Sequence, residues 1–241
     1  MRNIIFDNNF EFTNVAHSRQ IFDNTCRLSN LEELNLYKID ESIDELLLNL
    51  NLLPKLKKLT IWGYNYLTDD GIRNIPNTIE TLCLIFCFNI TQTSLSHFTN
   101  LSKLNIRYCP NIQESIIFNS LNLREISFFT NDYISDIFFV SISNLVNLEK
   151  LTLNYCFSVT NEGLRLINKF PKLRKLYITD VLNLNIEETE IIIRSCNINI
   201  IFISSLFWKL YKIKNDDKIT IEYDFQYIID ELNQLNELED T

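Results

Sequence analysis

The sequence predicts an α/β solenoid, a right-handed horseshoe in which repeated units place a parallel sheet inside and helices outside. The first observation is a motif of the form L-x-x-L-x-L, which recurs with Ile or Phe replacements. Its copies begin at Leu31, Leu56, Ile79, Leu101, Leu123, Leu148, Leu173 and Ile198. The second observation is a spacing of roughly 22–25 residues, which is typical of stacked repeats. One such unit cannot bury its own apolar face, so neighbouring units must stack on each other.

Length and composition favour one extended domain. The chain has 241 residues and 46% of them are hydrophobic, which is ample for a continuous core. We expect a single domain over residues 1–241, with residues 1–30 as a degenerate N-terminal repeat or cap. Residues 31–206 would form about eight repeats, and residues 207–241 would form a C-terminal cap over the end of the core.

The second half of each motif has the alternation of a β-strand. In the first copy, Leu34 and Leu36 are expected to point into the solenoid and Asn35 to point outward. The degenerate pattern over residues 10–15 predicts the first strand, and the alternation over residues 218–223 predicts the last one. Apolar spacing between residues 225 and 238 predicts a closing helix.

Helix starts follow the strands in most repeats. Residues 67–72 (Leu-Thr-Asp-Asp-Gly-Ile) and 159–164 (Val-Thr-Asn-Glu-Gly-Leu) are near copies of each other. Thr and Ser are good N-cap residues, and the acids behind them suit the positive end of a helix. The predicted N-caps are Thr68, Thr91, Ser135 and Thr160.

Cysteines recur at the point where the chain leaves the strand. Cys87, Cys109 and Cys156 hold the same repeat position, at which a side chain turns inward and supports the turning backbone. Cys83 lies within a strand and is expected to point outward. This distribution predicts buried, reduced thiols instead of a disulfide framework, and a reducing cytosolic setting.

Three segments share the features of one repeat subtype: Cys-Pro-Asn-Ile at 109–112, Cys-Phe-Ser-Val-Thr-Asn-Glu-Gly-Leu at 156–164, and residues 67–72. They resemble the cysteine-containing leucine-rich repeats of F-box/LRR proteins, the substrate receptors of cullin-type ubiquitin ligases. The resemblance implies a ribonuclease-inhibitor-like horseshoe and a role in substrate recognition. No F-box is visible, since residues 1–30 contain no Leu-Pro. The part that binds the ligase adaptor would then be lost, divergent or supplied by another chain.

The sequence predicts no catalytic, cofactor or metal site, and hence no enzyme. The two histidines, His17 and His97, are far apart and have no neighbour that would make a nucleophile pair. Three glycines are too few for a phosphate-binding loop. Cys83 and Cys87 are expected on opposite faces of the sheet, and no second pair completes a zinc site.

The outward strand positions, and the residues just after them, carry the predicted binding surface. A solvated sheet face avoids large apolar side chains, whereas aromatic residues near Lys and Arg are typical of protein-binding hot spots. We expect Trp62 and Phe129 to be exposed, and Phe86, Tyr108 and Tyr155 to be either exposed or packed against the ascending loops. The predicted partner-binding residues are Tyr37, Lys58, Trp62, Ile85, Phe86, Lys103, Arg107, Tyr108, Phe129, Lys150, Tyr155 and Lys175.

Charge indicates the kind of partner and setting. The net charge of −9 disfavours nucleic acid, but the predicted inner face is basic, which favours a protein with an acidic or phosphorylated segment. No secretory signal or membrane-spanning run is visible, so we expect a cytoplasmic protein, or one in a host cytoplasm if a pathogen or virus encodes it. The richness in Asn and Ile is typical of an AT-rich genome.

These patterns together predict a non-catalytic scaffold that binds a protein on its concave face. Substrate recognition in ubiquitination is one form of this function, as the resemblance implies. The alternative is a pathogen or large-virus factor that sequesters a host protein without ubiquitin chemistry.

Overall fold

A single parallel sheet runs through the part of the chain that the computed structural model describes, which is residues 3–6, 29–36, 43–63, 65–113, 119–130, 133–179, 181, 183–196, 198, 200–203 and 220–221. Ten described strands pair in sequence order, each parallel to the next. They are β1 (Asn3–Phe6), β2 (Glu33–Leu36), β3 (Lys58–Trp62), β4 (Thr81–Ile85), β5 (Lys103–Arg107), β6 (Glu125–Phe129), β7 (Lys150–Asn154), β8 (Lys175–Thr179), β9 (Ile200–Ile203) and β10 (Thr220–Ile221).

Short helices lie between most of these strands. The described α-helices are α1 (Ile43–Leu47), α2 (Asp69–Asn74), α3 (Gln92–Leu95), α4 (Asp136–Ser141), α5 (Asn161–Leu164) and α6 (Ile186–Ser195). Two 3₁₀ helices, Leu50–Leu52 and Arg165–Lys169, follow α1 and α5. The predicted α/β leucine-rich-repeat horseshoe is confirmed, since each repeat returns the chain to the same edge of one parallel sheet. Within the described residues, no helix combines the length and apolarity that crossing a membrane needs.

Leucine and isoleucine side chains on the inward side of the sheet form the core. The strand register places the fourth residue of each predicted motif opposite its equivalent in the next repeat. None of these side chains is more than 2% exposed. The residues are Leu34, Leu59, Leu82, Leu104, Ile126, Leu151 and Leu176. The predicted alternation is therefore confirmed, and burial of this apolar area is the main force that joins the repeats.

The two ends of the sheet differ in how well the sequence predicted them. The described sheet begins with β1, at Asn3–Phe6, which the sequence did not predict; the predicted first strand over residues 10–15 lies outside the described residues. β1 pairs with β2 through Ile4 and Leu34. A strand at the end of a sheet has one neighbour, so a short apolar run suffices and no complete motif is needed. At the other end, Thr220–Ile221 lies within the predicted last strand and pairs with β9. The predicted helix over residues 225–238 is outside the described residues.

The predicted helix caps are confirmed. The side chains of Thr68, Thr91, Ser135 and Thr160 each accept a hydrogen bond from the backbone N–H two residues later. These bonds satisfy an amide that the first turn of the helix leaves without a partner.

A second set of bonds, which the sequence did not reveal, joins three of these caps, Thr68, Thr91 and Thr160, to the repeat before them. The Asp44 carboxylate accepts hydrogen bonds from the Thr68 amide at 2.9 Å and from the Thr68 hydroxyl at 2.5 Å. Asp69 does the same with Thr91, at 2.7 Å for both bonds, and Asp136 does so with Thr160 at 2.8 and 2.6 Å. We call Asp44, Asp69 and Asp136 the carboxylate clips. They tie consecutive repeats together on the helical side of the molecule.

The hydrogen bonds of the clip at Asp69 lower the pKa of its carboxyl group. Burial alone would raise the pKa of this carboxyl group. Hydrogen bonds from the Thr91 amide and hydroxyl, and from Ser94 and Thr93, together lower it by more, so the pKa lies below the ordinary 3.8. The ionised form is therefore the one that the folded structure holds.

The repeated cysteines are fully buried, as predicted. Cys87, Cys109 and Cys156 are 0% exposed, and all three are free thiols. Each Sγ–H donates to the carbonyl oxygen two residues earlier, at 3.4, 3.1 and 3.6 Å respectively. The thiols thus fill the core and bond to the backbone where it leaves the strand.

Candidate functional site

The outward side chains of the strands form three rows on the concave face, and the strand register aligns the members of each row from β2 to β8. The first row runs through the first residue of each strand and is mainly cationic, with Lys58, Lys103, Lys150 and Lys175 in parallel register with Glu33, Thr81 and Glu125. The middle row is mainly polar, and the third row lies where the strands end. Of the predicted site residues, Tyr37 is outside the described residues.

The acids of the first row are paired with lysines of the same row. Glu125 accepts from Lys103 at 2.7 Å, and Glu33 lies 3.6 Å from Lys58. Within the described residues, neither Lys150 nor Lys175 forms an ion pair. Lys150 instead holds its ammonium group 4.6 Å from the centroid of the Tyr177 ring. Among the described residues of this row, the lysines outside ion pairs therefore lie on β7 and β8.

A groove of about 290 Å³ lies across β4 to β8 in the centre of this face. Its charged lining consists of Lys103, Arg107, Lys150 and Glu125. Amide and hydroxyl groups occupy its floor, namely those of Asn105, Ser127, Thr152 and Asn154. Three cations face one carboxylate, and that carboxylate already accepts from Lys103. Walls of low dielectric concentrate the remaining positive field within such a concavity.

Arg107 is held in place at the upper edge of the groove. Its guanidinium carbon lies 4.6 Å from the centroid of the Phe129 ring, and its Nε donates to the Asn105 side chain at 3.3 Å. Stacking on a ring fixes the position of the guanidinium, so little side-chain entropy is lost when it contacts a carboxylate or phosphate.

The prediction that Trp62 and Phe129 are exposed is wrong. Phe129 is 2% exposed, because Arg107 on the adjacent strand lies over its ring. Trp62 is 8% exposed, and the ring of Phe86 in the next repeat lies 5.8 Å from it. Ile85 is also buried, between these two positions in the register. The third row is thus largely covered by side chains from neighbouring repeats.

The aromatic residues that follow the strands are more exposed. Phe86 and Tyr108 are half-buried and Tyr155 is 39% exposed. The rings of Phe86 and Tyr108 stack with centroids 4.7 Å apart and planes 10° apart. We call this pair the aromatic shelf. These residues are therefore partly packed and partly exposed, between the two predicted alternatives.

An unusual backbone holds these side chains. Phe86, Tyr108, Thr130 and Tyr155 have φ angles of 53°, 54°, 51° and 54°. This left-handed region is disfavoured for bulky residues and costs on the order of 1–3 kcal/mol per residue. The sheet bonding continues through these residues, since the Phe86 amide donates to the Arg107 carbonyl at 3.0 Å and the Tyr108 amide to the Phe129 carbonyl at 3.1 Å.

One thiol lies in the groove. Cys83 lines it, as the predicted outward orientation requires. Burial raises the pKa of Cys83 to about 11, while Arg107 lowers it and Cys109 raises it by smaller amounts. A thiol with this pKa is almost entirely protonated at neutral pH and is therefore a poor nucleophile. Among the described residues, no three His, Cys, Asp or Glu side chains are grouped to hold a metal ion.

Comparison with known proteins finds solved structures whose backbone fold is similar to that of this chain. No protein-family model matches the sequence, and no curated protein is significantly similar to it. A crystal structure of an internalin from Listeria monocytogenes is similar at 23% identity and a TM-score of 0.49. That match covers 66% of this chain but 46% of the internalin chain, so this chain spans less than half its length. The yeast Rad7–Elc1 complex is similar at 14% identity and a TM-score of 0.39, over 84% of this chain and 68% of that one. At these values, neither similarity assigns a function to this chain.

Proposed function

We propose that this chain is a non-catalytic scaffold that binds a partner protein on its concave face, with an acidic segment of the partner in the groove. The observation that carries the proposal is the charge of the groove. In a chain with a net charge of −9, this one concavity is lined by Lys103, Arg107 and Lys150, and its single acid is already paired. Such local complementarity steers and orients an acidic partner.

A protein segment fits the groove better than a small apolar ligand does. Ligand pockets for small molecules are mainly apolar and enclosed. Here the groove is an open depression on the sheet, and the polar side chains of Asn105, Ser127, Thr152 and Asn154 form part of its lining. The groove also opens onto the rest of the sheet, so an extended chain can continue along Lys175 and β8.

A segment of protein is also favoured over nucleic acid. Binding to a phosphate backbone depends on several unpaired cations along one track. On this face Lys58 and Lys103 are already engaged by Glu33 and Glu125. The net charge of −9 repels a long polyanion, whereas one short acidic segment needs only the local field.

The biological setting has two versions. The resemblance of the repeats to the cysteine-containing subtype supports substrate recognition in ubiquitination, with a ligase adaptor reached through another chain. The alternative is a factor that sequesters its partner. Affinity capture with the full chain separates them, because the adaptor accompanies the partner in the first version and is missing in the second.

The test of the proposed face compares charge reversals at matched positions. Arg107→Glu and Lys150→Glu change the groove, and Lys169→Glu makes the same charge change on the exposed outer 3₁₀ helix. We expect each groove variant to weaken binding of a captured partner by about tenfold or more, equal to about 1.4 kcal/mol, and to reduce its dependence on salt. Surface plasmon resonance measures both.

Lys169→Glu should bind as the parent does, since it lies on the opposite side of the repeat. All three proteins should be folded by circular dichroism, and Arg107→Glu should melt somewhat lower than the others because it uncovers the Phe129 ring. The concave site is wrong if Lys169→Glu abolishes binding while both groove variants retain it.

A further inference from the structure

The aromatic shelf adjoins the groove, because Arg107 lines the groove and Tyr108 follows it in sequence. We infer that the partner segment carries an apolar or aromatic side chain next to its acidic residue, and that the shelf binds this side chain while the groove binds the acid. The inference rests on the proposed function and adds to it a two-part recognition motif.

The geometry of the shelf suits such a side chain. Phe86 and Tyr108 are stacked, so each ring covers one face of the other, and both remain half-buried with part of their apolar surface within reach of a partner side chain. Phe86 is supported by Trp62 at 5.8 Å and by Phe88 at 6.2 Å, both in tilted orientations. A supported pair moves little when another ring or a branched aliphatic side chain packs on it, so the entropic cost of binding is low.

The backbone gives an independent reason to assign a role to these rings. Phe86 and Tyr108 have left-handed φ angles that a glycine would adopt without strain. Thr130 has the same conformation at the equivalent position of the next repeat, so the fold does not require an aromatic side chain there. Half-exposed rings that are kept at a cost in folded stability point to a use outside folding.

The charge of the neighbouring groove identifies the occupant. Arg107 and Lys150 attract a carboxylate or a phosphorylated side chain, and the shelf begins one residue further along the chain. A base of single-stranded RNA could also stack on such a shelf beside an arginine. The net charge of −9 and the paired state of Lys58 and Lys103 favour the protein segment.

The experiment uses a random-peptide phage library selected on the full chain, followed by fluorescence anisotropy with a labelled synthetic copy of an enriched peptide. We expect enriched peptides to combine Asp or Glu with Phe, Trp, Leu or Ile at a constant spacing. Tyr108→Gly should weaken this peptide by roughly thirtyfold, as loss of an anchor does. Thr130→Gly is the matched control, since it makes the same backbone change without removing a shelf ring, and should bind within about twofold of the parent.

Thermal unfolding separates binding from folding. Glycine relieves the left-handed strain at either position, so Thr130→Gly should melt at or above the parent temperature. Tyr108→Gly loses its stacking with Phe86 but gains the same relief, and should remain folded by circular dichroism. A copy of the peptide with phosphoserine at the acidic position then distinguishes a phosphate from a carboxylate as the better anion for the groove.

Each other outcome overturns a defined part. Peptides that are acidic only, and are insensitive to Tyr108→Gly, overturn the shelf and leave the groove in place. If binding of the peptides is also insensitive to Arg107→Glu, the assignment of the groove as the acid-binding site is wrong as well. Failure of the library to yield any enriched peptide overturns a short linear occupant. If a single-stranded oligouridine competes with the peptide and binds more tightly than the peptide does, the occupant is a nucleic acid and not a protein segment.

Discussion

At the scale of single residues, position within the repeat decides the chemistry of each cysteine. Cys87, Cys109 and Cys156 face the core, where no reagent reaches them and the carbonyl two residues earlier accepts each S–H. Cys83 belongs to the same region of the sheet but faces the groove. Although Cys83 faces the groove, its pKa of about 11 keeps it protonated at neutral pH, so it should react slowly with thiol reagents.

Thiol labelling tests this assignment. In the native protein at pH 8, iodoacetamide should spare Cys87, Cys109 and Cys156, and should modify Cys83 slowly because little thiolate is present. The rate at Cys83 should rise as the pH approaches about 11. Peptide mapping by mass spectrometry reads each site.

Two controls accompany the labelling. Arg107→Ala should slow the reaction of Cys83, because the guanidinium lowers the pKa of that thiol. In denaturant all of these cysteines should react. Fast modification of Cys109 or Cys156 in the folded protein would contradict their burial.

At the scale of elements, the helices depend on the repeat before them. α2 has six residues and α3 and α5 have four each, far below the length at which an isolated helix is stable in water. The carboxylate clips hold the caps of these three helices, and Gly71 makes room for the first of them. A methyl group at Gly71 would overlap the Asp44 carboxylate.

A double-mutant cycle tests the coupling of Gly71 and Asp44. Asp44→Ala should cost about 1–3 kcal/mol, because the Thr68 amide and hydroxyl lose their acceptor. Gly71→Ala alone should cost about 1–3 kcal/mol through overlap with that carboxylate. Urea unfolding measures each free energy.

The cycle should be strongly non-additive. In the Asp44→Ala background the overlap with the carboxylate is gone and only a tight 3.1 Å contact with the Cα of residue 44 remains. Alanine is a better helix former than glycine by about 1 kcal/mol, so Gly71→Ala should cost much less there than in the parent. Simple addition of the two single costs would show that the clip and the glycine act independently.

At the scale of the whole molecule, stability passes from each repeat to its neighbours. Every described strand pairs only with the strands before and after it in sequence. The inward rows join these units into one continuous core, and β7 lies inside it with partners on both sides. A cavity in a central repeat therefore weakens both of its interfaces.

Adjacent residues of β7 test this arrangement. Leu151 is 0% exposed in the core, whereas Lys150 faces the groove. Leu151→Ala should lower the free energy of unfolding by about 2–5 kcal/mol through lost burial and an unfilled cavity. Lys150→Ala should change it by less than about 0.5 kcal/mol. Chemical denaturation measures both values.

Hydrogen exchange gives the spatial readout. Leu151→Ala should reduce protection of the backbone amides in β6 and β8 as well as in β7. Equal stability of the Leu151 and Lys150 variants would show that the strand register is misassigned.

Patterns that repeat with the chain were predictable from sequence because they are local. The inward leucines follow from strand alternation, the caps from Thr or Ser before an acid, and the buried cysteines from their constant position after the strand. Membership of the outward rows, including Lys58, Lys103, Arg107, Lys150 and Lys175, follows from the same alternation. All of these depend on the spacing of residues along one repeat.

Exposure of the outward residues was decided by tertiary structure. Phe129 is covered because Arg107 of the preceding strand lies over its ring, and Trp62 because Phe86 of the following repeat packs beside it. The carboxylate clips and the space at Gly71 likewise join residues more than twenty positions apart. The alternation determined which way each side chain points, since that is a property of a single strand. What lies over it depends on rotamers in the neighbouring repeat, and these are settled only when the repeats stack.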